Sequence, residues 1–282
     1  MKKAHNKKTA SLRSVLPEKL VSYVGQVDSI EHPPQGTAFQ VCILSSPHGR
    51  FILKQTDSPS MVNALIKECQ ILTALQHYAP FVAQPLGDAE TDHGHAFLFT
   101  CIEGDPLHVA LNHSSADERH HLIQHYAQSL RRVHGWAPDL SQPTDWLTQT
   151  LQWVGTNIQA KSRGACVAGT NSRFDGEDAQ QLLAKLQAHR PSLSNDLVFC
   201  HGDYCLPNVI IQNAQVMGII DWSLGGYADR RFDLATALFS MRLSLPDSDY
   251  LTTFLQAYGY SEPLETLEFF EALHALTCAF WQ

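Results

Sequence analysis

The chain has 282 residues, 44% hydrophobic and 17% charged, with a formal net charge of −8, so it can build two lobes or one large domain with a sizeable core. The acidic balance and the lack of a basic stripe along any candidate helix give no reason to expect nucleic acid, and no run approaches the roughly 20 apolar residues of a membrane span. Seven cysteines without a paired short spacing suit free thiols in a reducing cytosol, and nothing in the pattern points to an obligate protein partner.

In chain order, the first thirteen residues carry Lys2, Lys3, Lys7, Lys8 and Arg13 without the apolar stretch of about 7–15 residues that a secretory signal needs. Residues 1–14 are expected to be a disordered basic arm on a cytoplasmic protein. Leu16 to Val24 suggests a short helix with Pro17 in its first turn. The segment Pro33 to Ala38, with Gly36 and Thr37, leads into a strand over Phe39 to Leu44, and its partner Arg50 to Gln55 carries Lys54 near its end. Ser58 and Pro59 open a helix whose apolar positions Val62, Leu65, Ile66, Cys69, Leu72 and Leu75 recur at helical spacing, with Glu68 beside the stripe. Phe81 to Gln84 and His95 to Ile102 read as two more strands, the first stopped by Pro85 and Gly87. Glu103 to Leu107 is a natural linker, so the expected boundary separates residues 15–103 from 104–282.

Beyond it, Glu118 to Trp136 is an amphipathic helix with Leu122, Ile123, Tyr126, Ala127, Leu130, Val133 and His134 on one face. Trp146 to Ile158, Asp178 to Leu186 and Leu264 to Phe280 also read as helices, and Lys161 to Arg173 as a loop. The histidine pairs His93/His95 and His120/His121 have no cysteine or acidic cluster beside them and read as solvent-facing. Cys200 and Cys205 read as packing residues.

The most informative stretch runs from Val198 to Leu238. A short buried strand, Val198-Phe199-Cys200, delivers His201-Gly202-Asp203 into a loop. Asn208 then opens the apolar run Val209-Ile210-Ile211, a polar turn follows, and Val216 to Ile220 delivers Asp221. Two apolar runs around a turn form a hairpin, with Asn208 at its start and Asp221 at its exit, both at one end. Such a set suits phosphoryl transfer. Magnesium takes oxygen ligands, which Asn208 and Asp221 supply, and Asp203 is left to face an acceptor hydroxyl. The protein-kinase set is His-Arg-Asp with Asn five residues later and a metal-binding Asp beyond; here Gly202 replaces the Arg, which argues against a protein substrate. Asp229 with Arg230 reads as an internal ion pair, Asp233 as the cap of a helix over Leu234 to Met241, and His201 as a structural residue of the loop.

His201-Gly202-Asp203-Tyr204-Cys205-Leu206-Pro207-Asn208, then Ile220-Asp221 and Gly226-Tyr227-Ala228-Asp229-Arg230, resemble the aminoglycoside phosphotransferase family, and within it the 3′-phosphotransferase branch. The resemblance is clearest from Val198 to Leu238. It implies an α+β, bilobal protein-kinase-like fold: a small β-rich N-terminal lobe with one key helix and a larger, mostly helical C-terminal lobe. It implies ATP and Mg2+ as cofactors, a small-molecule hydroxyl acceptor, Asp203 as the catalytic base, and Asn208 and Asp221 as metal ligands. By the same resemblance Lys54 sits where this fold holds a lysine on the α- and β-phosphates, with Glu68 holding its stem. Thr100 and Ile102 would offer backbone groups to an adenine edge, and Gly36 and Thr37 either cover phosphates or make a plain hairpin turn.

The acceptor side departs from the branch. Its ammonium-binding acidic loop corresponds here to Lys161-Ser162-Arg163-Gly164-Ala165-Cys166, its terminal acidic pair to His274 and Ala275, and a basic residue to Leu224. The remaining acids Asp175, Glu177, Asp178, Glu268 and Glu271 either serve from other positions or face water. An amino-sugar, a macrolide, choline or a thiamine-like alcohol therefore stand as alternative acceptors, and a nucleotide-binding module without catalysis as a different class.

Overall fold

A computed structural model of the chain describes residues 16–33, 39–92, 94–161, 165–168, 172–191, 197–245 and 249–280. The expected basic arm, Gly36, Thr37, His93 and residues 162–164 lie outside the described residues. Two compact units divide the chain, one ending at Glu103 and the other beginning at Gly104.

The first unit is built on an antiparallel sheet of five strands, β1 (Ser29–Glu31), β2 (Gln40–Ser46), β3 (Gly49–Thr56), β4 (Pro85–Thr91) and β5 (Gly94–Thr100), in the order β1-β2-β3-β5-β4. Strand β1 has only three residues, too few for an alternating pattern to be read. β5 lies inside the sheet, between β3 and β4, and its apolar run is unbroken: Ala96, Phe97, Leu98 and Phe99 are all buried, as a strand covered on both faces requires. Ala96 and Leu98 join Leu20, Val24, Leu44, Phe51 and Leu53 in one core cluster. On the other face, Lys54 pairs with Phe97 across the β3–β5 ladder. The strand expected at Phe81 to Gln84 forms instead four residues later, and Pro85 and Gly87 lie inside it rather than ending it. β4 is an edge strand, where a missing N–H costs no ladder bond, and the ladder shifts register between Pro85 and Gly87. His95, expected to face solvent, meets Asp88 of β4 at 2.7 Å.

Helix α1 (Pro59–Ala74) starts after Ser58 with Pro at its first position and packs on β3 and β4. Its buried stripe is Ala64, Leu65, Glu68, Ile71 and Leu72. Ile66 is 42% exposed, so the stripe is rotated from the one expected, and Glu68 lies on it rather than beside it. The carboxylate is there because a lysine in the sheet receives it.

In the second unit, β6 (Asp105–Pro106) pairs with β8 (Val209–Gln212), which pairs with β9 (Gln215–Ile219); β7 (Val198–Cys200) pairs with β10 (Gly226–Ala228). Around these strands are α2 (Leu107–Asn112), α3 (Ala116–His134), α4 (Trp146–Ala160), α5 (Ala179–Ala188), α6 (Arg230–Ser244), α7 (Asp249–Tyr258) and α8 (Glu265–Phe280). Helix α3 begins two residues before the expected start because Ser115 and Glu118 form a reciprocal capping box. The main core joins Leu147, Leu151 and Val154 of α4, Leu182 and Leu186 of α5, Phe232 and Ala235 of α6, and Phe270, Leu273 and Leu276 of α8. Among the described residues no helix is long and apolar enough to cross a membrane.

The rotation of α1 has a direct test. Leu65→Ala should cost about 2–5 kcal/mol, the usual range for a truncated core leucine, whereas Ile66→Ala should stay within about 0.5 kcal/mol. Urea unfolding of the two variants beside the parent chain measures both, and equal losses would put the stripe back where the apolar spacing suggested.

Candidate active site

The catalytic-loop candidate grows out of β7, whose Phe199 and Cys200 are buried. His201 ends the strand and ties two segments together. Its Nδ1 accepts the Asp203 N–H at 3.2 Å, so its Nε2 carries the proton and donates to the Ile220 carbonyl at 2.9 Å. Gly202 sits at φ 84°, and a Cβ there would lie 2.4 Å from the Leu224 carbonyl oxygen. Both facts require glycine.

The loop is held from below by Asp233, which is fully buried. One carboxylate oxygen accepts the His201 N–H at 2.7 Å and the other the Gly202 N–H at 2.8 Å. His134 Nε2 of α3 approaches the first oxygen at 3.1 Å, and its Nδ1 meets the Tyr258 hydroxyl at 2.7 Å. Asp233 is therefore not the helix cap expected of it. Asp229 caps α6 by accepting the Arg231 N–H, and its ion pair is with Arg231 (2.6 Å), not Arg230. The reason is helical geometry: the helix already starts at Arg230, so Asp233 lies in its first turn, facing the loop. Burial pushes the Asp233 pKa up, but the hydrogen bond and charge of His134, with the further pull of His201, hold it below the ordinary carboxylate value. His134, Cys200 and Asp233 also put three ligand-type atoms within 4.8 Å of one another. Both Asp233 oxygens and both His134 nitrogens are already spent on hydrogen bonds, which fits a brace rather than a metal site.

Asn208 lies five residues beyond Asp203. Its Nδ2 donates to the Asp203 carbonyl and to Asp203 Oδ2, both at 3.0 Å, which turns its Oδ1 the other way. The Ile220 N–H donates to the Asn208 carbonyl at 2.9 Å, and Val209 pairs with Ile219, so the hairpin puts Asn208 beside the strand exit that carries Asp221. Asp221 has left-handed backbone angles, φ 64° and ψ 61°, a conformation that Asp tolerates better than most residues. The next residue, Trp222, anchors this corner. It is fully buried, donates to the Ile219 carbonyl and stacks on Phe199 and Trp136.

In the first unit, Lys54 Nζ lies 2.9 and 2.8 Å from the two oxygens of Glu68, with Lys54 6% and Glu68 2% exposed. Thr100 and Ile102 stand at the end of β5. Cys101 donates its N–H to the Arg50 carbonyl of β3, and the Thr100 N–H is committed to the Gln84 carbonyl, which takes it out of reach of an adenine edge.

On the acceptor side, His274 is buried between Phe232 and Phe239, with its Nε2 3.3 Å from the Cys278 thiol. Burial lowers its pKa, against the pull of Asp203. The five acids left open by the sequence all have partners. Glu271 binds Arg242 at 2.5 Å and Arg173 at 3.4 Å, and Glu268 binds Arg173 at 3.7 Å. Glu177 binds Lys185, Asp178 caps α5 and Asp175 accepts from Ser172.

Against known proteins, residues 29–271 match the profile of the phosphotransferase enzyme family. The chain belongs to that family. An aminoglycoside 3′-phosphotransferase of Niallia circulans is 32% identical over 145 residues, 49% of this chain and 51% of that enzyme; the chain spans about half the length of the curated relatives it matches, or less. The solved aminoglycoside phosphotransferase APH(3″)-Id from Streptomyces rimosus superposes with a TM-score of 0.74 at 22% identity, covering 95% of this chain and 98% of the other. A structure of the same protein in complex with ADP and streptomycin gives 0.72 at the same identity and coverage. The choline kinase LicA from Streptococcus pneumoniae gives 0.67 at 16% identity over 96% and 91%. These likenesses show the fold, α+β and protein-kinase-like. Sequence reasoning missed Asp233 as the holder of the loop; the signal was its place one turn inside a helix whose first residues, Arg230 and Arg231, are polar.

The lowered Asp233 pKa has a defined pH signature. An unfolded aspartate titrates near about 3.9 and the folded one below that, so its stabilisation is complete above about pH 4 and is lost as the pH falls further. Urea midpoints from pH 7 to 3 should hold level in this contribution and then drop. Asp233→Asn, which breaks a buried charge network at a cost of about 3–5 kcal/mol, should lack that part of the acid slope.

Proposed function

We propose that the chain is an ATP-dependent cytoplasmic kinase that transfers the γ-phosphate to a hydroxyl of a small molecule, an aminoglycoside-type acceptor being the first reading. The observation that carries it is the Asn208 amide, whose NH2 group is spent on Asp203 and whose Oδ1 is thereby turned away from that residue, where it could ligate a cation. That oxygen and the Asp221 carboxylate are hard donors of the kind magnesium takes, so these residues fit the metal the family implies. Held by Asn208 and Asp221, Mg2+ would supply positive charge to offset that of the nucleotide phosphates.

The chain's own residues do the rest. Asp203 accepts the proton of the acceptor hydroxyl as that oxygen bonds to the γ-phosphorus and the bond to the β-phosphate oxygen breaks. Lys54, held by both oxygens of Glu68, binds the α- and β-phosphates, and the Thr100 carbonyl and Ile102 N–H bind the adenine edge. With a loose transition state, acceleration comes from position and charge rather than from a strong base. Asp203→Asn should reduce turnover at least about 10²-fold while nucleotide affinity, followed by calorimetry, stays within twofold. Turnover near the parent level would remove Asp203 from its role, and an absence of magnesium-dependent transfer by the parent chain would favour a nucleotide-binding module instead.

A second reading concerns the acceptor. A polycation needs unpaired carboxylates around it, and the described acids on this side are engaged: Glu268 and Glu271 on arginines, Glu177 on a lysine, Asp178 on a helix N-terminus. His274, expected from the resemblance to replace an acid, is buried between Phe232 and Phe239. This favours an acceptor with few cationic groups: an amino-sugar, a macrolide, or a choline- or thiamine-like alcohol. Coupled ADP release against kanamycin, streptomycin, a macrolide, glucosamine, choline and thiamine separates the two. Turnover on an aminoglycoside supports the first reading; silence on every aminoglycoside with turnover on a less charged alcohol supports the second.

A further inference from the structure

Immediately after Asp203 the loop turns a large side chain inward. Tyr204 and Tyr126 of α3 are both fully buried, and their rings stack at a centroid distance of 4.7 Å and an angle of 9°. Each hydroxyl reaches the other residue's backbone. Tyr126 donates to the Tyr204 carbonyl at 2.7 Å, and Tyr204 donates to the Tyr126 carbonyl at 2.8 Å. Ser129, one turn further along α3, sits 2.5 Å from the Tyr204 hydroxyl.

The two bonds are not equivalent. The Tyr126 carbonyl belongs to a helix and also accepts from the Ser129 hydroxyl at 2.9 Å, so it keeps a partner when Tyr204 lets go. The Tyr204 carbonyl is in a loop, and the Tyr126 hydroxyl is its partner. That carbonyl is part of the peptide joining Tyr204 to Cys205, whose N–H donates to the Asp203 carbonyl at 2.9 Å. The same Asp203 carbonyl takes the Asn208 amide. One phenol thus sets the peptide plane on which the Asp203–Asn208 arrangement is registered. A phenol on a helix is a rigid donor, and burial raises the Tyr126 pKa far above its ordinary value, so the proton stays in place at any working pH.

We propose that Tyr126 is a positioning residue of the phosphoryl-transfer site, acting through the Tyr204 carbonyl to hold Asp203 in register. The proposal rests on the kinase reading given above for its catalytic readout, but not for its structural one. A misplacement of about 1 Å in a reacting group can cost about 10²-fold in rate, so a loosened loop is felt in kcat before it is felt in nucleotide binding.

The test compares Tyr126→Phe with Ser129→Ala, which removes a partner of the Tyr204 hydroxyl and leaves the Tyr126-to-Tyr204 bond intact. Tyr126→Phe is expected to lower kcat at least tenfold with KM for ATP within twofold, and to speed exchange of the Cys205 amide, followed by NMR, at least tenfold. Ser129→Ala is expected to hold kcat and Cys205 exchange within twofold of the parent. A Tyr126→Phe chain with parental kcat, or with parental Cys205 exchange, overturns the proposal, even where its melting temperature falls. If the parent chain transfers no phosphate to any acceptor, the kinase reading fails on its own, and Cys205 exchange still decides whether Tyr126 holds the loop.

Discussion

The second unit depends on one buried carboxylate. An ionised Asp233 with no access to water would be prohibitively unfavourable unless every lone pair found a donor. Its donors are two successive backbone N–H groups of the catalytic loop and an imidazole from α3. Loop and charge are therefore mutually required. A loop in any other conformation strands the carboxylate, and a neutral side chain at this position releases two peptide planes just before Asp203. Gly202 completes the constraint, because the backbone that presents both N–H groups to one carboxylate passes through a left-handed conformation against the Leu224 carbonyl. The short turn His201-Gly202-Asp203 is thus a shape fixed by electrostatics and by the close approach at Gly202.

The first unit repeats that logic with opposite charge at the centre. Lys54 stands among Phe39, Phe97 and Phe99, where a lone ammonium would lose its proton or leave the core. Glu68 meets it with both oxygens, and that requirement brings the charged position of α1 onto its buried stripe. Buried ion pairs add little net stability over apolar residues of the same size. Two charges spent on a pair inside a small sheet therefore point to positioning, in keeping with the phosphate-binding role proposed for Lys54.

How much of this was legible follows from range. The residues of the site are local in sequence: His201, Asp203, Asn208 and Asp221 fall within one strand, one loop and one hairpin, and spacing alone puts Asn208 and Asp221 at the same end. Lys54 and Glu68 could be paired because a strand and the next helix are neighbours in the chain. What escaped was set by tertiary contact. Asp233 looks like a cap, since Asp before an apolar run usually is one, and only the loop 32 residues upstream gives it another task. The α1 stripe was mis-rotated because apolar spacing counts Ile66 as core, whereas it is exposed and Glu68, expected beside the stripe, lies on it. β4 was placed too early because Pro85 reads as a stop until its edge position is known.

The same contrast explains why α3 carries more of the site than its sequence suggests. Its pattern is that of an ordinary amphipathic helix, yet three of its polar groups fix three different parts of the second unit. His134 completes the Asp233 network, Tyr126 fixes the peptide after Asp203, and His125 donates from Nδ1 to the Ala214 carbonyl at 2.8 Å. That last bond falls on the turn between β8 and β9, where Asn213 and Ala214 both have positive φ, at 50° and 60°. Such a turn matches the twist of a tight hairpin, but alanine there costs on the order of 1 kcal/mol, and an outside donor offsets part of that cost. A hairpin slipped by one residue would send Asn208 and Asp221 to opposite faces. A single helix thus bonds to the β8–β9 hairpin, to the peptide after Asp203 and to the carboxylate under the His201-Gly202 turn. Coupling of this kind is what the proposed phosphoryl transfer would need, since it relies on position rather than on a strong acid or base.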